Sequence, residues 1–168
     1  MVLGTAQFGM DYGIANVTGK PSRKEVFDIL DLAWESGIRR FDTAPDYSTE
    51  TILGEFISVN GLSNKAKVLT KIHSLKGQSD FEKAIKKSIE LSLENFFCPI
   101  EVLFFHDPND SELILNEPQF FKSLLLNYSI SSLGVSVYEP KEVERLSDCA
   151  LELAFQFPFN ILDRRFEK

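Results

Sequence analysis

The 168-residue sequence predicts an α/β protein, a parallel (β/α)8 barrel of the TIM-barrel type that is incomplete and stops after about six βα units. Three observations lead there. Strand-like and helix-like segments alternate along the whole chain at a spacing of about 25–35 residues, the size of one βαβ step. The strand-like segments are near-continuous apolar runs, as strands buried on both faces of a parallel sheet must be. Polar residues gather at the C-terminal ends of successive strands, where barrel enzymes keep their chemistry.

The elements follow in order. The first strand is read over Val2 to Phe8. A helix covers Ser22–Ser36, opened by Pro21 and a capping box of Ser22 and Glu25, and closed by Gly37. Its Val26, Ile29, Leu30, Ala33 and Trp34 follow helical spacing. Strand two is Ile38 to Thr43, and a short helix, Glu50–Val59, packs through Ile52, Leu53, Phe56 and Ile57. Strand three is Lys67 to Ile72. The next helix begins at Ser79 with a second capping box, Ser79 and Glu82, and buries Phe81, Ile85, Ile89 and Phe96. Strand four, Ile100 to Phe105, is apolar except for Glu101. A weaker helix covers Pro118–Asn127. Strand five is Ser132 to Tyr138, Pro140 opens the following helix, and strand six is Glu152 to Phe157.

No Pro/Ser-rich linker, low-complexity tract or charge block divides the chain, so residues 1–168 read as one barrel domain that lacks the last two βα units. An open doubly wound sheet is the other architecture that fits the alternation. The first βα turn, Gly4-Thr-Ala-Gln-Phe-Gly9, decides little between them: it is not GxGxxG, and no GxxxxGK occurs. The polar strand ends favour the barrel.

Composition excludes several functions. A formal net charge of -7 without a Lys/Arg run argues against a nucleic-acid partner or an anionic membrane surface. Two cysteines, Cys98 and Cys149, and two histidines form no zinc-type pattern. Both cysteines read as free thiols, which fits a reducing compartment. With no signal-peptide pattern and no spanning apolar stretch, the expected location is cytoplasmic.

Four polar residues stand out. Asp42 closes strand two in Phe41-Asp-Thr-Ala-Pro-Asp-Tyr47, and Tyr47 follows on the loop. Lys71 closes strand three in Leu69-Thr-Lys-Ile72, and His106 closes strand four in Leu103-Phe-Phe-His-Asp-Pro108. Each alone has an ordinary structural explanation: a turn, a solvated cation, a packing phenol, an imidazole bonded to its turn. Together they put an acid, a lysine, a phenol and an imidazole at one mouth. His73, the second histidine, has no carboxylate-rich neighbourhood in the sequence, and a metal-dependent hydrolase would lack ligands.

This set resembles the tetrad of the aldo-keto reductases. The resemblance runs nearly end to end and also includes Leu3-Gly-Thr-Ala-Gln-Phe-Gly9, Leu53-Gly54, Thr70-Lys71, Gly134-Val-Ser136 and Gln156-Phe-Pro-Phe-Asn-Ile-Leu-Asp-Arg-Arg165. It implies reduction of an aldehyde or ketone to an alcohol, with NADPH as cofactor and a small carbonyl compound as substrate. It implies Asp42, Tyr47, Lys71 and His106 as catalytic residues. Tyr47 would donate the proton, and Lys71 would lower the phenol pKa from about 10. Asp42 would hold Lys71, and His106 would orient the carbonyl oxygen and stabilise charge developing on it. Cofactor contacts are implied at Gly4, Thr5, Ser136, Gln156 and Asn160, with Ser136 and Gln156 on the nicotinamide carboxamide.

The sequence departs from the family pattern in three places. Tyr47-Ser-Thr-Glu50 is one residue short and lacks the Gly that usually follows the tyrosine, so Tyr47 is expected to be displaced. Val137 stands where an Asn often follows Ser136. The segments that bind the cofactor phosphates in the family, around strands seven and eight, have no counterpart. Strands one and six are then expected to be unpaired edges that favour self-association. The second functional reading is a catalytically inactive truncated barrel serving as a binding or assembly module.

Overall fold

The structure, a computed structural model, describes residues 1–13 and 16–167. Six strands form one parallel sheet in sequential order: β1 (Val2–Gly4), β2 (Arg40–Asp42), β3 (Lys67–Ile72), β4 (Ile100–Phe105), β5 (Ser132–Ser136) and β6 (Leu153–Gln156). Neighbouring strands are joined by helical crossovers: α1 (Ala6–Gly9) and α2 (Arg23–Glu35), then α3 (Glu50–Val59), α4 (Phe81–Phe96), α5 (Glu112–Asn116) with α6 (Pro118–Asn127), and α7 (Pro140–Glu144). The result is an incomplete (β/α) barrel. A doubly wound sheet would reverse its strand order, and this one does not.

Strand registers separate two faces. Asp42 pairs with Leu69, Lys71 with Phe104, Phe104 with Gly134, Gly134 with Ala154, and Ser136 with Gln156. Paired residues point the same way, so this set lines the inner face. Leu69, Val102 and Phe104 form its small apolar cluster, packed against Ala154. The outer face, including Phe41, Val68, Leu103, Phe105, Leu133 and Val135, carries the main core against the helices. A register irregularity between Val68 and Leu69 accompanies the one acidic residue of β4. Glu101 binds Arg40 and Lys67, the first residues of β2 and β3, and so closes the N-terminal end of the sheet.

Local chemistry sets the element ends. The Ser22/Glu25 capping box forms as expected. The Gly37 N–H donates to Trp34 O and the Ile38 N–H to Ala33 O, with Gly37 at φ 87°. Ile38 therefore still closes α2, and β2 begins two residues later than expected. The second expected box is corrected: Asp80, not Ser79, caps α4, its carboxylate accepting from the Lys83 N–H at 3.0 Å. Asp80 lies one residue nearer the helix and offers a charged acceptor to the positive end of the dipole. β1 ends at Gly4 rather than Phe8, because the Thr5 N–H and hydroxyl both donate to Asp42 O and turn the chain into α1. The ends of β5 and β6 are likewise shorter than expected by two residues and by one at each end.

β1 and β6 each have a single strand neighbour. Val2 is 43% exposed, and Leu153 and Phe155 are half-buried. An apolar cavity of about 500 Å³ lies beside β6, between Leu153, Phe155, Val143, Leu146 and Phe166. Among the described residues, no helix is long and apolar enough to cross a membrane.

Candidate active site

A second cavity, about 310 Å³, opens at the C-terminal ends of the strands, and Asp42, Tyr47, Lys71 and His106 all line it. β2 and β3 place Asp42 and Lys71 side by side on the inner face. The Lys71 ammonium lies 2.8 Å from Asp42 Oδ1, 3.1 Å from Asp42 Oδ2 and 2.9 Å from Thr43 O. An ammonium has three donors, and these three acceptors engage them. Lys71 is 2% exposed; its charge is tolerated because it is paired and hydrogen-bonded.

Tyr47 sits at the end of a 3₁₀ turn, Pro45–Tyr47. The departure at the next residue has the expected backbone signature: Ser48 has φ 56°, a left-handed conformation that suits glycine. The tyrosine nevertheless remains at the mouth. Its ring meets His106 edge-on at 6.0 Å, and Lys71 Nζ lies 5.2 Å from its centre. Among the described residues, no hydrogen bond joins the phenol to Lys71. The expected lowering of the phenol pKa is therefore corrected. Burial, reinforced by the negative charge of Asp42, pushes Tyr47 up to about 12.

The turn is held from below by Thr5, expected as a cofactor contact, and by groups the sequence reading did not single out. Thr5, Thr43 and Thr49 form a buried hydroxyl cluster, with Thr49 Oγ1 at 3.1 Å from Thr5 Oγ1 and 2.7 Å from Thr43 Oγ1. Glu50 is buried, and among the described residues no cation pairs with it. Its Oε1 accepts from the hydroxyls of Thr70 (2.7 Å) and Ser92 (2.9 Å), and its Oε2 from the Asn95 amide (3.1 Å). Gly9 meets the same turn: a Cβ there would fall 1.7 Å from Tyr47 O. The spacing of Glu50 after the tyrosine was a signal for its role; nothing local pointed to Gly9.

Of the expected cofactor contacts, Gly4, Thr5, Ser136 and Gln156 line the cavity. The Thr5 hydroxyl is used within the protein. Gln156 Nε2 donates to Asp42 Oδ2 at 2.9 Å, linking β6 back to β2 across the mouth, and the Ser136 hydroxyl lies 3.5 Å from Gln156 Oε1. Asn160 is elsewhere, with its Oδ1 accepting the backbone N–H groups of Leu162 and Asp163. His73 has a carboxylate neighbour in space, Asp46, 2.9 Å from its Nδ1.

The sequence profile of the Aldo/keto reductase family matches residues 1–168. The chain belongs to the aldo-keto reductases. It is 30% identical over 152 residues to D-threo-aldose 1-dehydrogenase of a Pseudomonas species, covering 72% of this chain and 46% of that protein. A crystal structure from Pseudomonas aeruginosa, classed among the aldo-keto reductases, superposes with TM-score 0.75 at 28% identity, covering 98% of this chain and 64% of the other. A Bombyx mori aldo-keto reductase in complex with NADP shares the fold, with TM-score 0.72, 24% identity and coverage of 95% and 54%. The chain thus spans about half to two-thirds of the length of these relatives.

The donor set fits the nicotinamide end of such a cofactor: a hydroxyl from Ser136 and an amide from Gln156 stand together at adjacent strand ends beside Lys71 and Tyr47. Toward the C-terminus, Arg164 and Arg165 are paired with Glu167 and with Asp163 and Glu139. A phosphate would have to compete with those carboxylates.

Proposed function

We propose that this aldo-keto reductase chain carries the site for NADPH-dependent reduction of a small aldehyde or ketone, within one domain spanning residues 1–168. The observation that carries the reading is the buried Lys71–Asp42 pair with Tyr47 and His106 at the same mouth. When bound, the nicotinamide supplies the hydride. Ser136 and Gln156 would hold its carboxamide. Tyr47, neutral at working pH, would donate the proton to the substrate oxygen. A phenol whose pKa is about 12 remains a far stronger acid than the alcohol it would form, so the raised value leaves this direction open. Lys71 and Asp42 fix the floor of the site, and His106 is the second group at the substrate oxygen. The Pseudomonas relative's name makes aldoses the first carbonyl compounds to assay. The free thiols Cys98 and Cys149 fit a cytoplasmic setting.

The second reading, an inactive barrel serving as a binding or assembly module, is favoured by the unpaired edges of β1 and β6 and by the pairing of Arg164 and Arg165. Fluorescence titration with NADPH, run on the wild type and Tyr47→Phe, separates the two. The first reading expects both to bind NADPH and only the wild type to reduce an aldose. Absence of NADPH binding would leave the second reading standing, and full turnover by Tyr47→Phe would remove Tyr47 as the acid.

A further inference from the structure

Behind the turn that carries Tyr47 lies a third cavity, about 340 Å³, which shares no lining residue with the mouth. Pro45 and Ser48 of the turn form one wall, and Glu50 and Thr51 at the start of α3 form the next. Ser88, Leu91, Ser92 and Asn95, on one face of α4, form the third. Among the described residues no Lys or Arg lines this cavity; Glu50 is its one carboxylate and His73 its one imidazole. Two groups in its walls are incomplete. Glu50 is 3% exposed, and its three partners are two hydroxyls and an amide rather than a cation; buried charges are ordinarily paired. Ser88 is 5% exposed, and its Oγ has no hydrogen-bond partner among the described residues, although buried hydroxyls ordinarily have one.

The spare hydrogen-bonding capacity of the walls selects the ligand. A carboxylate only accepts, at roughly four lone-pair sites. Thr70, Ser92 and Asn95 fill three of those on Glu50, which leaves one on Oε2. The Ser92 hydroxyl has spent its hydrogen on Glu50 and keeps only lone pairs. Asn95 gives Nδ2 to the same carboxylate, so its Oδ1 is the atom that accepts from the Thr51 hydroxyl, at 3.4 Å. Thr51 has then spent its hydrogen as well. The donors that remain are the Ser48 and Ser88 hydroxyls, which can equally accept, a second Asn95 N–H and the His73 ring. Acceptors prevail, around one negative charge.

We propose that this cavity binds a small primary ammonium ion. Such a group brings one positive charge, three donors and no acceptor. The charge offsets Glu50. The donors meet the free site on Oε2, the lone pairs of Ser92 and the oxygen of Ser88, one helical turn away on α4. The hydrocarbon part lies against Pro45 and Leu91. An anion would be repelled by Glu50, and a neutral alcohol would bring further lone pairs and no charge. The site stands apart from the reaction at the mouth and does not depend on it.

The test needs no cofactor and no turnover. Amide 1H–15N spectra of the labelled protein are followed through titration with n-propylammonium chloride, and with 1-propanol and sodium propionate at matched ionic strength. The expected result is a saturable shift of the Glu50, Thr51, Ser88 and Ser92 amides with n-propylammonium alone. Glu50→Gln keeps the shape and removes the charge, and it should weaken binding roughly tenfold or more, the loss of a hydrogen bond to a charged group. Leu91 is 47% exposed, so Leu91→Lys leaves the core intact while setting a competing ammonium at the rim. It should weaken binding to a similar degree, and it decides the matter if Glu50→Gln does not fold. Absence of a saturable shift would mean that water alone fills the cavity, and it overturns the proposal. An equal response to 1-propanol, or wild-type affinity in either folded variant, overturns it as well.

Discussion

Lys71 and Tyr47 have opposite electrostatic problems at the same mouth. Lys71 keeps its charge in a buried position by giving its donors to Asp42 and Thr43. Replacing it with methionine strands the Asp42 carboxylate, and removing one member of a buried pair destabilises by roughly 3–5 kcal/mol. Lys71→Met should therefore lower the urea midpoint sharply, and adding Asp42→Asn should recover part of the loss. Equal midpoints for the single and double variants would show that the pair is not coupled. Tyr47 is driven toward neutrality, and its pKa near 12 exceeds the ordinary value of 10. The folded state thus holds this proton more tightly than the unfolded chain. Its stabilising contribution is complete below pH 10 and is lost as pH rises through 10 to 12. Phenolate absorbance should show a step near pH 12 that Tyr47→Phe removes.

At the level of elements, the short turn between β2 and α3 decides where the phenol sits. Its strain is local, at Ser48, whose left-handed backbone disfavours any side chain. Ser48→Gly should raise stability by about 0.5–1 kcal/mol, since glycine adopts that conformation without the steric penalty. A lower thermal midpoint for Ser48→Gly would show that the lost side chain matters more than the backbone. Gly9 bears on the same turn from α1. Gly9→Ala would drive a methyl into Tyr47 O, so α1 or the turn must move. We expect lower stability and weaker carbonyl reduction, with the tyrosine rather than the cofactor contacts displaced. Unchanged stability and turnover in Gly9→Ala would show that α1 yields without cost.

Across the whole molecule, the parallel sheet buries its outer face from β2 to β5 and leaves it half-buried at β1 and β6, each of which has a single strand neighbour. The apolar cavity beside β6 adds to that opening. Exposed strand edges with apolar flanks promote association. Light scattering on the purified chain should show oligomers or concentration-dependent aggregation, and substitution of Phe155 by lysine should reduce it. A monomer at all accessible concentrations would mean that the edges are protected in another way.

The sequence by itself determined the order of elements, the parallel sheet and the four polar residues at its mouth. Apolar runs bounded by turn residues give strands their identity, and residues closing successive parallel strands must emerge on one side. It also showed the strain to come, because Ser48 stands where glycine was expected. Tertiary structure alone decided the rest. Burial first, and then the charge of the Asp42 that fixes Lys71, raise the Tyr47 phenol, a balance set by distances no spacing encodes. The reach of Gln156 to Asp42 spans 114 positions of sequence. Asp46 meets both histidines only because three strand ends converge, so its carboxylate was invisible as a partner for His73 until the sheet brought them together.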